Sequence, residues 1–215
     1  MKKIISAVLF AIAFTACNES KKPNENTTKH IDTAQTIQQK TVSKTLTEKE
    51  KLIADLNRFK VAVQTKNKKE IATFFNFPVA DSTLTIYDIN ADFDKQRIEN
   101  GNKLTKEMFN DNFERLYEYW DFEEFTNLFK FLKLNELSEK NTLEYVHKPK
   151  NEGCYFMYSI KHIDNEVTIS YGTNTNGDYS KKHPDEEEVC GEYLSAWVFS
   201  WNGQKLTFKK QLFAG

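Results

Sequence analysis

Three cysteines and four histidines carry most of the ligand and nucleophile chemistry in this chain: Cys17, Cys154 and Cys190, with His30, His147, His162 and His183. No two of the histidines stand at His-x-x-x-His spacing, and no cysteine lies in a Cys-x-x-Cys motif. Neither a zinc site nor thiol redox catalysis therefore has a basis in the sequence. Cys154 and Cys190 each open a segment that reads as strand. In an oxidising compartment they can form a disulfide, which would contribute about 3 to 4 kcal/mol by closing the intervening loop. The alternative is two buried thiols, because pairing requires Cα atoms within about 7 Å. Asp92 and Asp94 flank Phe93. Two such carboxylates can exchange protons or hold a cation, although a solvated loop also accounts for them. The polar stretch 173–188 holds Asn174-Thr175-Asn176-Gly177-Asp178, then Lys181-Lys182-His183-Pro184, then Asp185-Glu186-Glu187-Glu188. It lacks the first aspartate and the terminal bidentate glutamate of a calcium loop. It reads as a solvated loop or as a lid that meets a partner. There is no phosphate-cradling glycine loop and no Gly-x-Ser-x-Gly elbow, so no cofactor is implied.

Composition narrows the classes further. Of 215 residues, 39% are hydrophobic and 28% charged, with Lys+Arg 30 against Asp+Glu 31. A net charge of -1 argues against nucleic acid as a partner, since such proteins carry a basic excess. Mean hydropathy is -0.65, and the one long apolar run lies near the N-terminus, which excludes a polytopic membrane protein. Seventeen Phe, nine Tyr and three Trp against seven Gly and four Pro indicate one ordered domain.

The N-terminus is organised for export. Met1-Lys2-Lys3 is basic, residues 4–14 are apolar, and Phe14-Thr15-Ala16-Cys17 follows. The apolar stretch has the length of a signal-peptide core and is too short to span a bilayer as a mature helix. This arrangement resembles the lipobox of bacterial lipoproteins, with Phe14 where that family usually has Leu. The resemblance implies cleavage before Cys17, diacylation of its thiol and acylation of the new amine. Residues 1–16 are then a signal peptide, 17–45 a lipidated tether and 46–215 a single domain, with the lipid bilayer as partner through acylated Cys17. Asn18 stands where Asp would signal inner-membrane retention in that family, and Glu19 is the lone acidic residue of the opening stretch. Together these imply the outer membrane and its periplasmic side. An ordinary secretory signal or an uncleaved anchor are the other readings. Residues 18–45 are rich in Lys, Asn, Thr and Gln and contain no aromatic residue. Such a segment cannot bury enough apolar surface to offset ordering, and it reads as a spacer or as a peptide motif for a partner.

The domain begins with a helix signal. Thr47-Glu48-Lys49-Glu50 fits a capping box, and Leu52, Leu56, Phe59 and Val63 follow at helical spacing. A short second helix spans 70–75 and ends before Asn76-Phe77-Pro78. Residues 82–89 read as a strand, 90–103 as a loop with a turn at Asn100-Gly101. Thr105 caps a third helix bearing Phe109, Phe113, Leu116 and Tyr117. The spacing continues through Phe122, Phe125, Leu128, Phe129 and Leu132 as a fourth or bent helix. From residue 142 the period becomes two, predicting strands at 142–147, 154–163, 166–172, 189–201 and 204–213. Asp164-Asn165 closes one hairpin and Asn202-Gly203 another, the latter as a type I′ turn. Helices followed by hairpin-linked strands predict an α+β fold, with N-terminal helices on a curved antiparallel sheet of about five to six strands.

This order, together with the helix over 52–63, the Phe74-Phe75-Asn76-Phe77-Pro78 corner and the long C-terminal strands, resembles the nuclear transport factor 2-like fold over residues 46–215. The resemblance implies a cone-like shape. It also implies either an enzyme of the ketosteroid-isomerase type or a non-catalytic binding or dimerising domain, because a fold does not fix a reaction. In the alternation of 154–163, Phe156, Tyr158, Ile160 and His162 share one face. In 189–201, Tyr193, Trp197, Phe199 and Trp201 share one face and Leu194, Ala196 and Val198 the other, predicting cover on both sides. A homodimer through the outer sheet face, or helices and a loop of the same chain, would supply it. Tyr158, His162, Trp197 and Trp201 are the candidate ligand pocket. The leading expectation is a non-catalytic envelope lipoprotein binding a small apolar ligand or a protein. The alternatives are the isomerase-like enzyme, using an Asp or His beside Tyr, and an interaction protein such as an envelope-complex subunit or a toxin-neutralising partner.

Overall fold

Thr47 starts the first helix by reciprocal capping: its Oγ1 accepts from the Glu50 N–H at 3.2 Å, and its own N–H donates to Glu50 Oε2 at 2.7 Å. The computed structural model describes residues 45–150, 152–183 and 190–215. The leader, Cys17 and the tether lie outside these residues. Helix α1 (Glu48–Gln64) buries Leu52, Leu56, Phe59 and Val63 along one stripe. Helix α2 (Lys68–Ala72), capped by Asn67, leads into the Phe74–Pro78 corner. There Phe74 packs edge-on against Phe59 at 5.0 Å, and its carbonyl accepts the Phe208 N–H at 2.7 Å. The apolar corner thus joins the first helix to the last strand.

Two expectations are corrected in the next stretch. Residues 82–89 form no strand; a 3-10 turn, Asp81–Thr83, is followed by irregular chain. Leu84 and Ile86 alternate into the core, which produced the period-two signal. Among the described residues no strand pairs with them, and side chains bond the Thr85 backbone instead: Trp120 Nε1 donates to the Thr85 carbonyl at 2.9 Å, and the Thr85 N–H to Gln211 Oε1 at 3.4 Å. Residues 90–103 are not a loop. They contain α3 (Ala91–Glu99), whose Asn90 cap accepts from the Phe93 N–H. Phe93 is the sole buried residue of α3, so this helix had no apolar stripe to reveal it. Asn100-Gly101 does turn the chain, with Gly101 at φ 67°. A two-stranded sheet pairs β1 (Val79–Ala80) with β2 (Lys103–Leu104).

Thr105 caps α4 (Lys106–Asp111) through the Met108 N–H. The helical run then breaks twice, giving α5 (Phe113–Tyr119) and α6 (Phe122–Phe131), with Asp121 in the left-handed region at φ 53° between them. After a 3-10 segment, Leu134–Ser138, come β3 (Thr142–His147), β4 (Cys154–Ile163), β5 (Glu166–Thr175), the short α7 (Gly177–Ser180), β6 (Tyr193–Trp201) and β7 (Leu206–Ala214). These five long strands form one antiparallel meander in the order β3-β4-β5-β6-β7. The fold is α+β, with seven α-helices among the described residues.

Asp164 and Asn165 close the β4–β5 hairpin, Asp164 at φ 52°. The last hairpin differs from the expected type I′ turn. Trp201 pairs with Leu206 across a four-residue loop, in which the Asn202 side chain accepts from the Gln204 and Lys205 N–H groups and Gly203 sits at φ 83°. One face of the sheet lies in the core with α1 and α6, through Ile160, Ile169, Trp197, Phe199 and Leu206. The other face is not covered within the described chain: Leu194 is 38% exposed, Leu212 46% and Val146 49%. Cover on both faces of β6, expected from its apolar alternation, is therefore limited here to Val198.

Candidate functional site: acids and tyrosines at one end of the sheet

Strand register builds the site. Tyr145 lies opposite Tyr158, Tyr158 opposite Tyr171, Tyr171 opposite Ser195 and Ser195 opposite Phe213. One cross-strand row thus spans all five strands on the helix-facing side, because residues directly opposite share a face. The next row outward places His147, Phe156, Thr173 and Tyr193 together. Helix α6 begins above these rows. Its Glu124 Oε2 accepts the Tyr158 hydroxyl at 3.0 Å, while Asn127 Nδ2 donates to Oε1 at 3.0 Å. The Tyr171 hydroxyl donates to the Trp120 carbonyl at 3.0 Å. That bond caps the end of α5 and fixes the corner where Asp121 stands. An aspartate tolerates the left-handed backbone there better than a bulky residue would.

The electrostatics follow from partial burial without a counter-charge. Burial raises the Asp121 carboxyl to about 6, with Glu124 and Glu123 adding like-charge repulsion. Burial raises the Tyr193 hydroxyl to about 12, reinforced by the charges of Asp121 and Glu124. The Tyr158 and Tyr171 hydroxyls are likewise held far above the ordinary phenol value, burial being the main cause in both. No Lys, Arg or His forms an ion pair with Asp121, Glu123 or Glu124 among the described residues. Beside these acids lies an aromatic ledge. Phe131 stacks on Tyr145 at 4.8 Å, on His147 at 4.7 Å and on Tyr158 at 5.6 Å. Tyr145 is 41% exposed and Phe213 58%.

The four candidate pocket residues are distributed differently. Tyr158 belongs to the row just described. Trp197, opposite Ile169, is fully buried among Trp120, Phe122 and Phe125. His162, opposite Val167, lies two residues further along the face than Ile160, and Trp201, opposite Leu206, lies beyond it. They occupy four successive rows beneath the helices. His162 Nε2 and the indole nitrogens of Trp197 and Trp201 have no hydrogen-bond partner among the described residues. Cys154 and Cys190 are joined by a disulfide with Cα atoms 5.4 Å apart. Asp92 and Asp94 sit in the first turn of α3, where negative charge complements the helix dipole. Asp94 reaches toward Arg97 at 3.6 Å, and Arg97 pairs with Asp81 at 2.6 Å. Among the described residues no group of three or more His, Cys, Asp or Glu could hold a metal ion.

Sequence reasoning missed Asp121, Glu124 and the role of Tyr171 and Tyr193. The available signal was Trp120-Asp121-Phe122, a carboxylate wedged between two core aromatics where helical spacing slips. Compared with known proteins, the chain matches no family model, no curated protein and no solved structure.

Proposed function

We propose that this chain is a lipid-anchored protein of the bacterial cell envelope, attached through Cys17 to the outer membrane on its periplasmic side. Its α+β domain acts as a non-catalytic binding module. In this reading the sheet bends around α1 and α6 as in the cone-like nuclear transport factor 2 architecture. The observation that carries the binding assignment is the accessible aromatic ledge of Tyr145 and Phe131 beside carboxylates that have no cationic partner among the described residues. Exposed apolar rings next to uncompensated polar groups mark interaction sites. The ligand is a small apolar molecule or a protein segment that covers the ledge. The Cys154–Cys190 disulfide supports an exported location, since such bonds persist in oxidising compartments. A photo-crosslinking side chain placed at Tyr145 in living cells tests the assignment. Discrete adducts there, and none at the more exposed Ile98 on α3, support it. No adduct at the ledge removes it.

A second reading is favoured by one feature. Asp121, raised to about 6, acts on the nearby Tyr193, whose hydroxyl makes no hydrogen bond among the described residues. A carboxylate base and a phenol donor are the pair an isomerase of the ketosteroid type uses to move a proton beside a carbonyl. Isomerisation of a β,γ-unsaturated ketone, abolished in Asp121→Asn, would establish this activity; absence of turnover leaves the binding module. The uncovered outer sheet face also supports pairing of two copies. Light scattering across a concentration series should then show a dimer, and a monomer throughout rejects that pairing.

A further inference from the structure

A second surface is independent of the acid–tyrosine cluster and has the opposite charge. At the end of the sheet where β4 begins and β5 ends, a cleft of about 600 Å³ opens between the chain after β3 and the short α7. Among the described residues, Lys148, Lys150 and Lys182 line it together with His183, and Asp178 is the one lining carboxylate. Asp178 faces Lys181 at 3.4 Å in an exposed pair. Lys150 and Lys182 form no ion pair among the described residues, and the Lys148 ammonium rests over the Tyr155 ring at 5.1 Å. Three cations therefore converge on one concavity without an ion pair among the described residues.

The walls are braced. The Asn176 N–H donates to the Gly153 carbonyl at 2.7 Å, and its Nδ2 to the Glu152 carbonyl at 3.3 Å. Thr175 Oγ1 donates to the carbonyl of Cys190, whose disulfide to Cys154 ties the same wall to β4. Tyr179 and His183 stack face to face at 4.1 Å and form a flat aromatic side.

We propose that this cleft binds a multivalent oxyanion of phosphate chemistry, carried by a soluble ligand or by a lipid headgroup. Lysine ammoniums are compact point charges whose rotatable donors suit tetrahedral phosphate oxygens, while the planar arginine fork that matches a carboxylate is absent from the described lining. A volume of about 600 Å³ exceeds one phosphate and falls in the range of small-ligand sites. The remainder of the ligand lies against the Tyr179–His183 stack.

The test uses the full chain in phosphatidylcholine nanodiscs, with lysine amides labelled by nitrogen-15 and titrated with inorganic pyrophosphate. Saturable shifts at Lys148, Lys150 and Lys182, weakened about tenfold by the Lys150→Ala/Lys182→Ala pair, are expected from the loss of two charge contacts. The double variant should keep the wild-type melting temperature, because both side chains are exposed, and Lys95→Ala on α3 should bind like wild type. A second arm replaces part of the phosphatidylcholine with phosphatidylglycerol. The same three shifts without pyrophosphate identify a headgroup as the source of the phosphate; shifts with pyrophosphate alone identify a soluble ligand. No shift at these lysines in either arm, or equal weakening in Lys95→Ala, overturns the proposal.

Discussion

Asp55 is the one charged residue among the described residues that is buried, at 8% exposure. Its Oδ2 accepts the Leu206 N–H at 2.6 Å and its Oδ1 accepts Arg58 Nε at 2.7 Å, tying α1 to the start of β7. Arg58 extends the network to Glu70 and Thr73 and lies over the Phe74 ring at 4.2 Å. A buried charge persists only where such partners offset its desolvation. Asp55→Ala leaves a buried N–H unpaired and should cost about 3 kcal/mol in urea denaturation. Asp55→Asn keeps an acceptor for Leu206 and should cost about 1 kcal/mol. Asp121 presents the opposite case. Its folded carboxyl is raised to about 6, so the neutral form is favoured on folding. That contribution is complete below the unfolded value near 4 and is lost as pH rises through about 6. Asp121→Asn stays neutral throughout and tolerates the same left-handed backbone. The variant should match wild type at acid pH and exceed it at pH 8 by about 1 kcal/mol, after discounting for its partial solvent contact. Parallel thermal melts at the two pH values measure the difference. A constant offset would assign the effect to packing and not to ionisation.

The segments whose signals are local were legible in the sequence. The capping box at Thr47, the cap at Thr105, the strands 142–147 and 154–163, and the Asp164-Asn165 hairpin all depend on residues within a few positions of one another. What escaped depends on contacts made across the chain. Leu84 and Ile86 imitate a strand because the core takes both side chains, while the Thr85 backbone is satisfied from Trp120 and Gln211. The Trp120-Asp121-Phe122 signal alone does not give Asp121 a site, because Tyr158 and Tyr171, whose hydroxyls bind Glu124 and the Trp120 carbonyl, come from strands distant in sequence. Tyr158 itself was legible from alternation alone. The disulfide also rests on long-range placement, since it closes a separation of 36 residues. Replacing Cys154 and Cys190 together by Ser should lower stability by about 3 to 4 kcal/mol in the chain-entropy model. Hydrogen exchange should then accelerate first at Thr175 and Asn176, whose bonds run to Cys190 and Gly153, while α1 amides stay protected until global unfolding. Uniform acceleration would mean that the bond supports the whole core.

In the proposed reading, chemistry is divided by position: a thiol for attachment at Cys17, then a polar spacer, then the α+β domain, whose acidic and basic surfaces lie near one end of the sheet. Among the described residues no helix is long and apolar enough to cross a membrane, and residues 4–14 are too few to span one. Under the proposed lipidation, attachment falls to the acyl chains on Cys17. One acyl chain gives marginal, reversible binding, whereas several give a durable anchor at about 0.8 kcal/mol per buried CH₂. Cys17→Ala should abolish incorporation of labelled palmitate and leave the precursor uncleaved at that position, while wild type is labelled and stays with membranes through an alkaline wash. The oxidation state of Cys154 and Cys190 gives an independent readout of compartment, because the exported domain should arrive with both thiols blocked. Labelled, membrane-bound wild type with no reactive thiols fits the envelope assignment. Unlabelled wild type with two free thiols in the cytosolic fraction would place the domain elsewhere, and its ligand would then have to be sought among cytosolic molecules.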